Sequence, residues 1–181
     1  MKKKKPLKTA DSNKKSGKAG KKRMTAAKPK LLPMRLESAS KRDVRTQFGA
    51  LCFRVQEDKV QVLLITSRGT GRWIIPKGWP MHGETPSGAA ATEAFEEAGV
   101  EGKVYDTVLG VFSYRKNLPG EDNLPCVVAV FPLSVKKLLK DFPEAAQRKR
   151  KWFSQKKAAA LVSEPELAQL IRSFDPRRLR R

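Results

Sequence analysis

Apolar and β-branched residues dominate positions 47–55 and again 59–66, and the polar triplet Gln56, Glu57 and Asp58 separates them. That pattern predicts two strands of a hairpin. A Gly-rich loop follows over 67–72, then Arg72, Trp73, Ile74 and Ile75 form a short strand running into Pro76. Residues 104–114 read as a further strand and 117–122 as a turn. Residues 125–133 form a nearly continuous apolar run, the mark of a strand covered on both faces. A short strand is predicted at 151–153. Ser163 with Glu166 three residues later gives a capping-box signature, ahead of an apolar stripe at Leu167, Leu170, Ile171 and Phe174. Strands first, a helix between them and helices at the end predict an α/β fold with a mixed sheet packed between helices.

The helix between the strands is the most sharply bounded element. Thr85 is placed as its N-cap, Pro86 at the first helical position and Gly99 where a left-handed residue would end it. Glu93, Glu96 and Glu97 stand at i, i+3 and i+4 and share one face, while Ala91, Ala94, Phe95 and Ala98 form the expected packing face. Like charges at this spacing destabilise a helix by roughly 0.2–0.5 kcal/mol per pair, and no Lys or Arg lies within the helix. Two explanations remain open from spacing alone. The face is simply solvated, or it holds a divalent cation such as Mg²⁺, which takes oxygen ligands from a few carboxylates and from substrate phosphates.

Length and charge narrow the setting. A chain of 181 residues suits one ordinary domain. Seventeen Lys or Arg stand in residues 1–45 against Asp11, Glu37 and Asp43, carrying fourteen of the twenty-one net positive charges. Few large apolar residues interrupt this stretch, so it is expected to be a disordered basic tail over 1–44, followed by a domain over 45–175 and a basic end at 176–181. The tail serves either as a solubilising leader or as a nonspecific electrostatic arm for nucleic acid or another polyanion. Without interleaved aromatics it offers no base stacking. No run reaches the length of a membrane span and no apolar signal-peptide core follows the N-terminal lysines, so a cytoplasmic protein with no membrane partner is expected. Cys52 and Cys126 lie in apolar runs and are expected to be buried thiols. His82 is the only histidine, which excludes a His-based metal site. Trp73 and Trp152 are expected in the core, and Trp79 is the aromatic placed nearest to substrate.

The stretch from Gly78 to Val100 resembles the signature of the Nudix hydrolases, G-x5-E-x7-R-E-U-x-E-E-x-G-U with U aliphatic. Gly78, Glu84, Glu93, Glu96, Glu97, Gly99 and Val100 match, Ala94 fits loosely, and Thr92 replaces the arginine. Further likeness, at residues 48–54, 63–68, 72–80 and 148–153, is to the diphosphoinositol polyphosphate phosphohydrolase branch, whose members also cleave diadenosine polyphosphates. The resemblance covers about residues 45–174. It implies a Nudix-type α/β/α sandwich with a catalytic loop and helix.

It also implies roles. Glu93, Glu96, Glu97 and the backbone carbonyl of Lys77 would hold Mg²⁺, with Mn²⁺ as an alternative. Glu96 and Glu93 would be the catalytic pair, while Gly78, Glu84 and Gly99 support the loop and helix. Arg45, Ser67, Arg68, Arg115 and Lys149 are candidates for gripping phosphates, Arg because its fork matches phosphate oxygens. The expected activity is divalent-metal-dependent hydrolysis of phosphoanhydride bonds in a polyphosphorylated small molecule, either a diphosphoinositol or a diadenosine polyphosphate. Two alternatives stand beside it: an RNA 5′-end pyrophosphohydrolase using the basic tail, and a non-catalytic polyanion-binding module on a Nudix scaffold. Oligomeric state is not legible.

Overall fold

The computed structural model describes Pro33 and residues 46–118 and 121–180; the predicted basic tail and Arg45 lie outside the described residues. Strand β1 (Thr46–Gln56) turns back into β2 (Lys59–Thr66), with Gln56 paired to Lys59 and Val55 to Val60. The two residues left in the loop, Glu57 and Asp58, have φ of 49° and 57°, the left-handed pair that matches a two-residue hairpin to strand twist. Strands β3 (Trp73–Ile74) and β4 (Lys77–Gly78) lead to helix α1 (Pro86–Ala98). Beyond it come β5 (Val100–Val104), β6 (Gly110–Leu118), β7 (Glu121–Leu138) and β8 (Arg150–Ser154). Helices α2 (Gln155–Leu161) and α3 (Pro165–Ser173) and a 3₁₀ turn (Pro176–Arg180) complete the described chain.

Among the described residues the strands make one mixed eight-stranded sheet, ordered β3-β2-β1-β7-β5, with β4 on β1, β6 on β7 and β8 on β2. Strands β1 and β7 pair in parallel from Thr46 opposite Val127 to Phe53 opposite Ser134. Alternation along the central strands then sets the layers. Leu51, Phe53, Val62 and Leu64 face α2 and α3, meeting Ala158, Leu167, Ile171 and Phe174. Ala50, Cys52, Leu63 and Ile65 face α1, meeting Ala89, Ala90, Ala94 and Ala98. The predicted sandwich is therefore present, with β1 and β2 buried on two faces; the run 125–133 is covered on both faces only over 130–133, since Pro125 and Val127 are exposed.

Several local expectations are corrected. The predicted strand at 104–114 is two strands, β5 ending at Val104 and β6 beginning at Gly110. The predicted turn at 117–122 lies largely inside a long hairpin, and β7 extends well beyond 125–133. Ser163 does not cap α3. Glu164 is the N-cap residue, it makes no side-chain capping bond, and Pro165 starts the helix. Phe95, placed on the packing face, is exposed, whereas Glu97 is buried. The buried arc of α1 is centred on Ala94 and rotated toward Glu97, because only alanines let the helix lie close to the sheet. Trp73 and Trp152 pack against the two cores as expected, Trp73 edge-on to Phe153 at 5.0 Å. Both cysteines are buried, as expected.

The hairpin turn carries a side chain at both left-handed positions. Asp58→Gly removes the Cβ conflict at one of them, offset by the extra freedom of glycine in the unfolded chain. The expected result is a stabilisation of about 0.5–1 kcal/mol, read by urea denaturation with an unchanged m-value.

Candidate active site

The loop and the ends of α1 are fixed by short-range chemistry. The Thr85 hydroxyl accepts from the Gly88 N–H at 3.0 Å. Gly99 closes the helix at φ 62°, its N–H directed at the carbonyls of Ala94 and Phe95. The Arg150 guanidinium donates to the carbonyls of Ala98 and Leu139 and so caps the C-terminus from β8. Glu84 is exposed, its carboxylate lying against Gly88, where a Cβ would come within 2.5 Å of Oε2. A carboxylate there favours the positive end of the helix dipole.

Strand β4 brings the second half of the site. A Cβ on Gly78 would fall 1.6 Å from Glu93 Oε1 and 1.9 Å from its Cδ, so only glycine leaves room for that carboxylate. The Lys77 N–H donates to Glu97 Oε2 at 2.9 Å. Arg148, at the entry to β8, donates through Nη2 to Glu97 Oε1, through Nε to Glu144 Oε2, and through Nη1 to the Thr66 carbonyl at 3.0 Å. Thr92, at the arginine position of the signature, instead turns its hydroxyl back to the Gly88 carbonyl at 3.2 Å. It makes a local bond that no glutamate shares.

Lys77, Gly78, Glu93, Glu97, Glu144 and Arg148 lie along a cleft of about 580 Å³. Glu93, Glu96, Glu97, Lys77 and Gly78 line it from one side. The loop after β2 contributes Ser67, Arg68 and Arg72, and β6 contributes Arg115 and Lys116. The candidates Ser67, Arg68 and Arg115 are thus gathered at one opening. Lys149 is not among the lining residues; its side chain is exposed, and its N–H donates to the Thr66 hydroxyl at 2.9 Å. Arg45 lies outside the described residues. Trp79 lines the cleft as expected, whereas His82 is exposed in the loop outside the lining.

Six contributors used here were not singled out from sequence: Arg148, Glu144, Gln47, Tyr114, Arg72 and Lys116. The buried Gln47 accepts from the Tyr114 hydroxyl at 2.6 Å, and the Lys77 ammonium lies 4.5 Å from the centre of the Tyr114 ring.

The electrostatics follow from crowding. Burial, then Glu97 and Glu96, push the Glu93 carboxyl from its ordinary 4.5 up to about 7. Burial pushes Glu97 upward too, opposed by Arg148 and the Lys77 N–H. Burial lowers the Lys77 ammonium, opposed by Glu97. Excess negative charge on hard oxygen donors is the donor set that suits a hard divalent cation. Each Glu97 oxygen already accepts one bond and keeps a further lone pair. Among the described residues no three His, Cys, Asp or Glu side chains gather tightly enough to enclose an ion alone. Water, substrate oxygens and the Lys77 carbonyl would have to complete the shell, as an open catalytic site requires. The residues fit such a cation on those terms.

The NUDIX domain model matches residues 45–174. The chain belongs to the Nudix family. Diphosphoinositol polyphosphate phosphohydrolase 3-alpha of mouse is 38% identical over 107 residues, covering 58% of this chain and 61% of that protein. Diphosphoinositol polyphosphate phosphohydrolase 2 of rat is 31% identical over 135 residues, covering 74% and 71%. The chain therefore spans about 61% of the length of the mouse relative. The crystal structure of the C. elegans Ap4A hydrolase superposes with a TM-score of 0.54 at 21% identity, covering 71% of this chain and 94% of that one, a likeness of fold.

Two outcomes test this Nudix site. Gly78→Ala should fold with only a small loss of stability, because the atom it meets ends a flexible side chain, yet it should displace Glu93 and lower turnover at least tenfold. For Glu93 itself the folded chain holds its proton more tightly than the unfolded chain. Its contribution to stability is complete below about pH 4.5 and is lost as pH rises through about 7. In EDTA, the melting temperature of the wild type should fall relative to that of Glu93→Gln between pH 5 and pH 8; parallel curves would show an ordinary carboxyl.

Proposed function

We propose that the protein is a divalent-metal-dependent pyrophosphohydrolase for a polyphosphorylated small molecule. The observation that carries this is the meeting of two opposite charge sets in the lining of one cleft: Glu93, Glu96 and Glu97 from α1, and Arg68, Arg72, Arg115 and Lys116 from the loop after β2 and from β6, with Arg68 and Arg72 paired to Glu144 and Glu164 at 3.3 and 3.5 Å. A neutral or cationic substrate needs no such rim, and a merely anion-binding module has no use for the floor.

Hydrolysis forms one bond from a water oxygen to phosphorus and breaks one bond from phosphorus to a bridging oxygen, with a water proton passing to a base. Bound Mg²⁺ or Mn²⁺ would supply neutralisation of the phosphate oxygens and acidification of the attacking water. The chain's own contribution is positional. Glu93, Glu96 and Glu97 with the Lys77 carbonyl would hold the cation. Arg68, Arg115 and Ser67 would orient the phosphates, and Trp79 and Phe112 would exclude water from the inner wall. The proton goes to Glu93 or Glu96, the two carboxylates assigned as the catalytic pair.

Two substrate classes fit this chemistry, diphosphoinositol polyphosphates and diadenosine polyphosphates. The names of the sequence relatives favour the first. So does the state of the aromatic rings. Lys116 lies 4.7 Å from the centre of the Trp79 ring and Lys77 covers Tyr114, so each ring already presents one face to an ammonium and phosphate is matched better than adenine.

The test is phosphate or nucleotide release from a diphosphoinositol polyphosphate, diadenosine hexaphosphate, nucleoside triphosphates and a 5′-triphosphate RNA, each with Mg²⁺ and with EDTA. Turnover of the first, abolished by EDTA and lowered at least a hundredfold in Glu96→Gln and Glu97→Gln of intact fold, is the expected result. Turnover confined to RNA, or metal-independent binding without product, would replace the proposal.

A further inference from the structure

Glu97 is the most buried of the three floor carboxylates, and its own helix carries no cation to match it. The match comes from fifty-one residues further along the chain. Arg148 has 4% of its side chain exposed and Glu97 has 9%, so this is a buried pair rather than a surface contact. All three edges of the guanidinium are occupied: Nη2 by Glu97, Nε by Glu144, and Nη1 by the Thr66 carbonyl. A planar group held in three directions cannot rotate, so it holds Glu97 Oε1 in one direction.

The anchor is itself anchored. The Glu144 N–H donates to the Glu96 carbonyl at 3.0 Å, tying the segment before β8 to the same turn of α1. Glu144 Oε1 lies 3.3 Å from Arg68 Nη1, at the cleft rim. Glu97 Oε2 is held independently by the Lys77 N–H from β4. Arg148 and β4 therefore grip opposite oxygens of one carboxylate. Thr92, whose hydroxyl is turned back to its own helix, has no part in this.

We propose that Arg148 is the positioning residue for Glu97, setting the orientation in which that carboxylate serves as a cation ligand, with Glu144 as the group that orients Arg148. The proposal deepens the hydrolase reading and rests on it. Its content is geometric: a lysine in place of Arg148 keeps the charge but reaches only one of the three acceptors, so charge alone should not suffice.

The test compares Arg148→Lys with the wild type in the full chain. Mn²⁺ is the probe, followed by electron paramagnetic resonance without substrate, and turnover is measured on whichever polyphosphate the wild type cleaves. The expected result is a melting temperature in EDTA close to that of the wild type, Mn²⁺ affinity at least tenfold weaker, and kcat at least thirtyfold lower with KM changed less than threefold. The double variant Thr92→Arg/Arg148→Lys, which offers Glu96 and Glu97 a fork from their own helix, should recover part of the Mn²⁺ affinity. Unchanged Mn²⁺ affinity in Arg148→Lys, or a loss confined to KM, overturns the proposal; the second result would make Arg148 a substrate contact. If Arg148→Lys does not fold, the charge-balanced Glu144→Gln/Arg148→Gln variant is read by the same criteria. Failure of the wild type itself to bind Mn²⁺ would instead count against the hydrolase function, so the two failures are distinguishable.

Discussion

A carboxylate buried beneath a helix must be met by donors, or the helix cannot lie on the sheet. Glu97 imposes that condition on this fold. Its position inside the buried arc of α1 follows from the run of alanines at 89, 90, 94 and 98, which bring the helix close enough to bury the neighbouring turn. An unmatched charge there would cost several kcal/mol. The Lys77 N–H and the Arg148 guanidinium meet it from two segments far apart in sequence, β4 and the stretch that leads into β8. One carboxylate thus ties the loop, the helix and the late strand into a single joint, and the cleft floor is the exposed side of that joint.

Gly78 expresses the same crowding at the next turn. The backbone of β4 passes so close to α1 that Glu93 occupies the space where a side chain would stand. Proximity of strand and helix then does two things together. It brings the Lys77 main chain to the carboxylates, and it removes enough water to raise the proton affinity of Glu93. A looser packing would supply the same residues without the same chemistry.

How much of this was legible in sequence depends on range. The caps of α1, the glycine at its end and the spacing of its glutamates are local, and each appears where the residue types put it. The layering of β1 and β2 follows from alternation. Phe95 was misplaced because a 100° periodicity gives the width of a buried arc and not its centre; which flank of Ala94 turns inward is decided by the sheet. Helix α2, QKKAAAL, is too short and too polar at its start to register as an apolar stripe. It forms because Ser154 caps it by accepting from the Lys157 N–H and because Ala158 and Ala159 meet the core. Arg148, Gln47 and Tyr114 could not be chosen from their neighbours at all. Gln47 and Tyr114 enter the cleft through strand register, β1 against β7 and β6 against β7, and Arg148 through the Thr66–Lys149 bonds just ahead of β8.

The charge arrangement bears on what can occupy the cleft. Arg148 is shared between Glu97 and Glu144, and Lys77, whose ammonium lies over Tyr114, is the other cation among the floor groups. Three floor glutamates therefore exceed their local counter-charge, and a polyphosphate drawn in by Arg68 and Arg115 would meet repulsion at the bottom. At 4 Å and an effective dielectric of about 20, each like-charge contact costs about 4 kcal/mol. The rim alone could hold phosphates at the opening but not bring a phosphoanhydride against Glu93 and Glu96. A divalent cation between carboxylate and phosphate reverses the sign of that encounter. The metal-dependent reaction proposed above accords with this charge balance, whichever polyphosphate enters the cleft.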